Sequence, residues 1–344
     1  MAVKNDDPEG PQPYYKLKHF KFPFFEPIIR ANGFCYAAID RKMMREAIEW
    51  ADVVHLEEYF PLQIVAANIA RVLGKPCVST FHVFVENVTA NLGMSDTNPI
   101  NRLLMRVFKK YVYDKCTDIH CPSETVKQYL LESGFTNRLH VISNGMILPE
   151  EPVVAKMPGE GPYTILCIGR LAREKSQETL LDAMRHSKHS QDIRIVFAGN
   201  GPLKKKYERI SSRLVADGVL KHAPEFGFFT HGELCALARE AYLYVHCAYV
   251  EVEGLSCLEA IREGVVPLIG EGRLVATSQF ALDDRSRYPA RDPKALAEKI
   301  DWWIEHPEVR REMGQKYADS VKIYGDREST ASIISMYELA VSGR

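Results

Sequence analysis

The chain of 344 residues has no apolar run approaching the ~18 residues that cross a bilayer as a helix. A helical membrane protein is therefore excluded as a first reading. Charge of one sign is also missing: 44 Lys and Arg stand against 45 Asp and Glu. No global field favours nucleic acid, which is not an expected partner, and any contact with an anionic surface has to come from a local patch. The opening residues MAVKNDDPEG are polar and acidic, unlike a secretory signal. None of the eight cysteines forms a C-x-x-C pair. Cys35, Cys77, Cys116, Cys121, Cys167, Cys235, Cys247 and Cys257 are scattered, several within apolar runs. That usage fits buried thiols in a reducing cytoplasm better than disulfides or zinc. A G-x-G-x-x-G after an early strand, with an acidic residue ~20 positions on, is absent too, which argues against a dinucleotide oxidoreductase.

What the chain does have is an ordinary globular balance, 46% hydrophobic and 26% charged. At this length two domains are the natural expectation. Short apolar runs alternate with helical patterns. Strands are predicted at Asp52–Leu56, Pro76–His82, Asp118–Cys121 and Leu139–Ile142, with helices at Leu62–Leu73, at Ile100–Lys115 and from Ser123. The stretch EEPVVAKMPGEGP then reads as a linker. Beyond it, strands at Tyr163–Ile168, Ile193–Ala198, Leu243–His246 and Val265–Ile269 alternate with helices at Ser176–Met184, Leu203–Leu214, Glu233–Glu240, Ser256–Glu263 and Pro293–Glu305. Alternation on both sides of a linker predicts an α/β chain of two doubly wound parallel sheets. Such sheets bind ligands beyond the carboxyl ends of their strands.

Chemistry-bearing residues stand at those ends. GRLAREK puts Gly169, Arg170 and Lys175 after one strand, and Gly199 and Gly201 follow the next. The run AYVEVEGLSCLEAIREG carries Glu251, then Gly254, then a helix start near Ser256, with the N–H groups of Leu255, Ser256 and Cys257 at its head. Amide groups at a helix start behind a glycine suit a diphosphate. Glu251 and Glu259 would flank it, one accepting from sugar hydroxyls and one from ribose hydroxyls, with Arg170 and Lys175 adding positive charge. Each feature has a plainer reading. Ser256-x-x-Glu259 is also a capping-box pattern. Arg170 and Lys175 could be solvated loop charges, and Gly199-x-Gly201 a simple turn.

Taken together and in this order, GRLAREKSQETLLDA, AGNGPL, FGFFTHGEL and the E-x₇-E pair Glu251/Glu259 in EVEGLSCLEAIREGVVPLI resemble glycosyltransferase family 4. The first half resembles the diacylglycerol glucosyltransferase-like bacterial members through ADVVHLEEYFPL, PCVSTFHVFVENVT, CPSETVKQYL and HVISNGM. The resemblance implies a GT-B fold of two Rossmann-like domains facing a cleft, and a retaining, metal-independent transfer of a hexose from an NDP-sugar, by default UDP-glucose. The absence of D-x-D agrees with a site that needs no metal or other cofactor. The resemblance also implies roles. Arg170 and Lys175 would hold the donor diphosphate, Glu251 the transferred sugar and Glu259 the ribose. The main chain of Gly254, Leu255 and Ser256 would meet phosphate, and the backbone near Phe228 the base. His82, at a predicted strand end, would face the donor sugar; a satisfied, partly buried histidine is its plainer reading.

Expected domains are 1–147 on the acceptor side, 148–325 for the donor, and a helix over 326–344 returning to the first. The strand, glycine-rich loop and helix that open a GT-B domain are not found before Asp52, so a βαβ unit of about 30 residues is expected to be missing, and either Met1 is an internal start or the chain is a fragment. A lipid or glycan acceptor is expected. Lys16, Lys18 and Lys21 among aromatics, and the helix NRLLMRVFKKYVYDK with Arg102, Arg106, Lys109 and Lys110 beside Leu103, Leu104, Val107 and Phe108, suit peripheral contact with the inner membrane face. A non-catalytic nucleotide-sugar-binding or partner subunit is the alternative.

Overall fold

A computed structural model describes residues 14–21, 26, 35–149 and 161–343. The predicted linker lies for the most part outside them. The described residues fall into two compact units. One takes residues up to Val85, then Asp96–Ile142 and Ala331 onward; the other takes Glu86–Ser95 and Ser143–Thr330.

In the first unit four parallel strands stand in the order β3 (Val54–Leu56), β4 (Cys77–Thr80), β5 (Asp118–Cys121) and β6 (Arg138–Val141). A short antiparallel pair, β1 (His19–Phe20) and β2 (Tyr36–Ala37), precedes them. β4 and β5 are buried along their whole length, as strands covered on both faces must be. Asp118 is fully buried at the start of β5. Burial pushes its carboxyl up, but bonds from Arg138, Thr117 and His140 outweigh that and hold it below the usual carboxylate range. Because Arg138 (2.9 Å) and His140 (2.7 Å) both reach it from β6, the same contacts fix the β5–β6 register.

Helix α1 (Arg41–Trp50) has no counterpart among the elements predicted before Asp52. It is capped by Asp40, whose carboxylate accepts from the amides of Lys42 and Met43, and it buries only Met44 and Ile48. Two buried residues at i, i+4 in a strongly polar segment give a faint pattern. Helix α2 (Pro61–Val72) opens on a proline. It is followed by α3 (Val85–Asn91), α4 (Pro99–Tyr111) and α5 (Glu124–Glu132), the last capped by Ser123. The predicted helix over Ile100–Lys115 is thus α4 followed by a 3-10 turn at Tyr113–Lys115.

In the second unit six parallel strands are ordered β12 (Arg287–Pro289), β11 (Val266–Glu271), β10 (Leu243–His246), β7 (Tyr163–Ile168), β8 (Ile193–Ala198) and β9 (Glu225–Gly227). The chain builds outward from β7 in one direction and then from β10 in the other. Neighbouring strands β7 and β10 therefore send their loops apart, which opens a crevice beyond their carboxyl ends. Around the sheet lie α6 (Glu178–Ala183), α7 (Lys204–Ala216), α8 (His231–Glu240), α9 (Leu255–Arg262), α10 (Pro293–Glu305) and α11 (Pro307–Ser320). The helix predicted at Ser176–Met184 starts later, because Arg173–Lys175 form a 3-10 turn and Ser176 takes a left-handed φ of 49°. Helix α11 is tied to the core by the buried Arg310, which donates to the carbonyls of Tyr242 (2.9 Å) and Ala241 (3.0 Å). The last helix, α12 (Asp326–Ser342), begins among second-unit residues. Its later residues Met336 and Ala340 pack on Val78 of the first.

Gly199 and Gly201 have a structural duty. A Cβ on Gly199 would stand 2.1 Å from the Gly169 carbonyl oxygen, and one on Gly201 would stand 2.4 Å from that of Leu171. The loops after β7 and β8 lie backbone on backbone, joined by the bond from Leu171 N–H to Asn200 O (3.0 Å). Gly199→Ala is therefore expected to cost about 2–3 kcal/mol through forced backbone displacement. Urea titration should show a lower midpoint at unchanged slope; an unchanged midpoint would refute the close approach.

Candidate active site

The loops leaving β7 and β10 bring three expected residues together. After β7, Arg170 donates to Oε1 of the fully buried Glu174 at 2.6 Å. Lys175 donates to Glu251 Oε2 at 2.5 Å, and His246, the last residue of β10, sits 3.4 Å from the same oxygen. Burial alone would raise the Glu251 pKa, but the Lys175 ammonium and His246 reverse this and hold it at about 2. The site therefore contains a permanent carboxylate at neutral pH. Backbone pairing fixes where it points: Glu251 N–H donates to Leu274 O (2.7 Å), and Glu251 O accepts from Ala276 N–H (2.9 Å). His246 is held in turn by Thr277 (3.3 Å) and by the Tyr244 hydroxyl (3.2 Å), which also lies 3.2 Å from the Ser256 hydroxyl. A continuous polar chain thus runs from the start of α9 to Lys175.

The capping-box reading of Ser256 and Glu259 is corrected by the structure. Gly254 is the cap, at φ 92°, with no side-chain capping bond, and α9 begins at Leu255. Ser256 is therefore already inside the helix, and Glu259 lies past the position from which a capping-box carboxylate reaches back. A capping box needs an extended Ser or Thr at the cap position; the chain has one at Thr230 and Glu233, on α8. Glu259 has a partly exposed carboxylate 4.0 Å from His231. Of the three amides expected at the helix start, that of Cys257 already donates to Gly254 O (2.8 Å). Those of Leu255 and Ser256 lead the helix. Gly254 itself is required, since a Cβ would stand 2.4 Å from Thr277 Oγ1.

The other expected residues lie as follows. Gly169 has open space where a Cβ would be. Phe228 presents its ring to solvent, 87% exposed. His82 follows β4 in the first unit, where its Nε2 meets Glu57 Oε2 at 2.8 Å. Sequence reasoning missed His246, Glu174 and Glu253. Glu253 is buried and accepts from the Ser143 hydroxyl, the Asn144 amide N–H (3.2 Å) and the Asn144 side chain (2.5 Å). Its two-residue spacing from Glu251 was the available signal. Among the described residues, no group of three or more His, Cys, Asp or Glu could hold a metal ion.

Comparison with known proteins gives the same class. Residues 154–319 match the model of glycosyl transferases group 1, and residues 3–148 that of glycosyltransferase family 4. Alpha-monoglucosyldiacylglycerol synthase of Streptococcus pneumoniae is 24% identical over 266 residues, 73% of this chain, and the chain spans only 58% of that protein's length. The catalytic domain of cholesterol-alpha-glucosyltransferase from Helicobacter pylori is 40% identical, covering 47% of this chain and 100% of that one, at a TM-score of 0.43. The Anabaena protein HepE in complex with UDP superposes at a TM-score of 0.67 with 14% identity, over 86% of this chain and 82% of that one. The class is the GT-B fold, with parallel Rossmann-like sheets. Within it, the first half of the chain matches glycosyltransferase family 4 and the second half glycosyl transferases group 1.

The depressed pKa of Glu251 has a signed consequence. A carboxyl held at about 2 when folded, against an ordinary 4.5, contributes stability that is complete above about pH 4.5 and fades as pH falls toward 2. Glu251→Gln should flatten stability over that window, as read by denaturation at pH 3 and pH 7. Lys175→Met, which strands the carboxylate, should cost about 3 kcal/mol at pH 7, and Lys175→Met with Glu251→Gln should recover most of it. A double variant whose loss equals the sum of the two single losses would show that the pair is not coupled.

Proposed function

We propose that the chain is a retaining, metal-independent glycosyltransferase that moves a hexose from an NDP-sugar, with UDP-glucose as donor, to a lipid or glycan acceptor. The observation that carries this is the Lys175–Glu251–His246 cluster at the β7/β10 crevice, beside a glycine-capped helix start. A permanent carboxylate there accepts from sugar hydroxyls. Arg170 and Lys175 turn to the diphosphate and stabilise it as it leaves, and the Leu255 and Ser256 amides meet a phosphate. Glu259, partly exposed and without a capping duty, takes the ribose, while the backbone near Phe228 meets the base. His82, oriented by Glu57, faces the donor sugar. Retention then follows a front-face course in which donor phosphate helps to take the acceptor proton.

For the acceptor, a lipid is favoured by the surface of α4. Ile100, Leu103, Val107 and Tyr111 are exposed at three- and four-residue spacing, and Arg102, Arg106 and Lys110 are exposed on the same acid-free helix. A half-apolar, half-cationic exposed helix suits peripheral contact with an anionic membrane, on its cytoplasmic side. The same helix also has a packed face: Met105 is buried and Phe108 stacks on Tyr59 at 4.1 Å.

Two experiments test this reading. Calorimetry should show UDP binding, weakened about tenfold by Glu259→Ala with no loss of thermal stability. Unchanged affinity would remove Glu259 from the site. Donor binding by a folded protein without hydrolysis or transfer would instead indicate a non-catalytic nucleotide-sugar-binding subunit. In the second experiment, the protein should float with phosphatidylglycerol vesicles at low salt and be released as salt rises. Leu103→Asp with Val107→Asp should abolish flotation, and a wild-type protein that stays at the bottom of the gradient rules the membrane contact out.

A further inference from the structure

The segment Glu86–Ser95 comes from the first half of the chain, yet its contacts place it in the second unit. Its helix α3 carries two asparagines that reach the site loops. Asn87 donates to the carbonyl of Val250 (3.4 Å), the residue before Glu251. Asn91 donates to Glu174 Oε2 (3.0 Å) and to the carbonyl of Asn87 (2.8 Å). Both acceptors of Asn91 are oxygens that can only accept, so its amide orientation is fixed. Glu174 is 0% exposed, and its other oxygen accepts from Arg170 (2.6 Å). The Glu174 carbonyl accepts from Tyr249 N–H (3.1 Å) at the head of the loop that carries Glu251.

We propose that Asn91 is a positioning residue for donor binding: by occupying Glu174 Oε2, it confines the carboxylate's hold on Arg170 to Oε1 and leaves the guanidinium aimed at the donor diphosphate. This rests on the proposed function. Without the asparagine, a buried carboxylate oxygen loses its donor. The least costly repair is for Glu174 to turn and grip Arg170 with both oxygens, the favoured geometry for that pair. Arg170 is then drawn away from the diphosphate while the fold is kept. Asn87 acts on the other loop, the one after β10, where Val250 precedes Glu251.

The test is UDP and UDP-glucose affinity by calorimetry, from pH 8 to pH 5, for the wild-type protein, Asn91→Ala and Asn91→Asp. Asn91→Ala should weaken donor binding roughly tenfold at every pH with an unchanged urea midpoint. Asn91→Asp sets two carboxylates about 3 Å apart, and such a pair retains a proton to higher pH than either group alone. As pH falls, the introduced carboxyl gains an O–H that donates to Glu174 as the amide does. Arg170, on the same carboxylate, lowers the pH of that change without removing it. Relative to wild type, Asn91→Asp should therefore be weakest at pH 8 and recover toward pH 5, a signature that loss of packing would not give. Wild-type affinity in Asn91→Ala, or a pH-independent ratio for Asn91→Asp, overturns this role alone. Absence of donor binding by the wild-type protein overturns the proposed function and this role with it.

Discussion

The Glu251 carboxylate, 12% exposed, is the constraint on which the second unit's loops depend. A charge taken out of water is tolerated only when opposite charge and hydrogen bonds replace the lost hydration. Lys175 and His246 provide that replacement from two different strand ends, so the β7 and β10 loops must meet at one oxygen. Pairing of Glu251 with Leu274 and Ala276 then dictates that the next residues turn back at Gly254, where only a left-handed glycine fits against Thr277. The helix start at Leu255 follows from that turn. One ion pair thus sets both the carboxylate and the neighbouring amides.

Much of this was legible in the sequence because the β-strands are buried on both faces. Tyr163–Ile168, Ile193–Ala198 and Leu243–His246 are mostly apolar runs, interrupted only by Thr164 and Arg194 and ending on His246, and their predicted limits coincide with the observed ones. Edge elements were not legible. Glu225–Gly227 and Arg287–Pro289 are three residues each, too short to carry a period. Helix α11 was missed because Pro307–Ser320 is polar around most of its circumference, and its deepest anchor is an arginine. At the site, charged residues at strand ends announced themselves, whereas Glu174 and His246 did not. Glu174 looks like any loop acid until its complete burial is seen, and His246 counted only as the end of an apolar run. The Ser256-x-x-Glu259 pattern misled in the opposite way. Spacing alone cannot say whether a glycine two residues earlier has already taken the cap.

The first unit shows how a polar interior can be made unambiguous. The Ile142 carbonyl can only accept, so His120 Nε2, 2.6 Å away, must carry a proton. Burial pushes His120 down to about 4, which keeps the ring neutral at ordinary pH, and its Nδ1 must then accept from the Thr80 hydroxyl at 3.0 Å. Thr80 in turn accepts from His55 Nε2 at 2.7 Å, and His55 Nδ1 accepts from the Tyr337 hydroxyl at 2.5 Å. A single carbonyl therefore fixes two tautomers and two hydroxyl directions, from the residue after β6 across the sheet to the last helix. His82 stands apart from this chain. It is paired with the carboxylate of Glu57, whose pKa is lowered chiefly by that bond, and it keeps a third of its side chain open to solvent. Of the histidines in and beside these strands, His55 and His120 have both ring nitrogens committed to the fold, and His140 donates to the buried Asp118. His82 combines an orienting carboxylate that is itself exposed with a side chain open to solvent, and that combination, rather than its position at a strand end, is what marks it as a candidate site histidine.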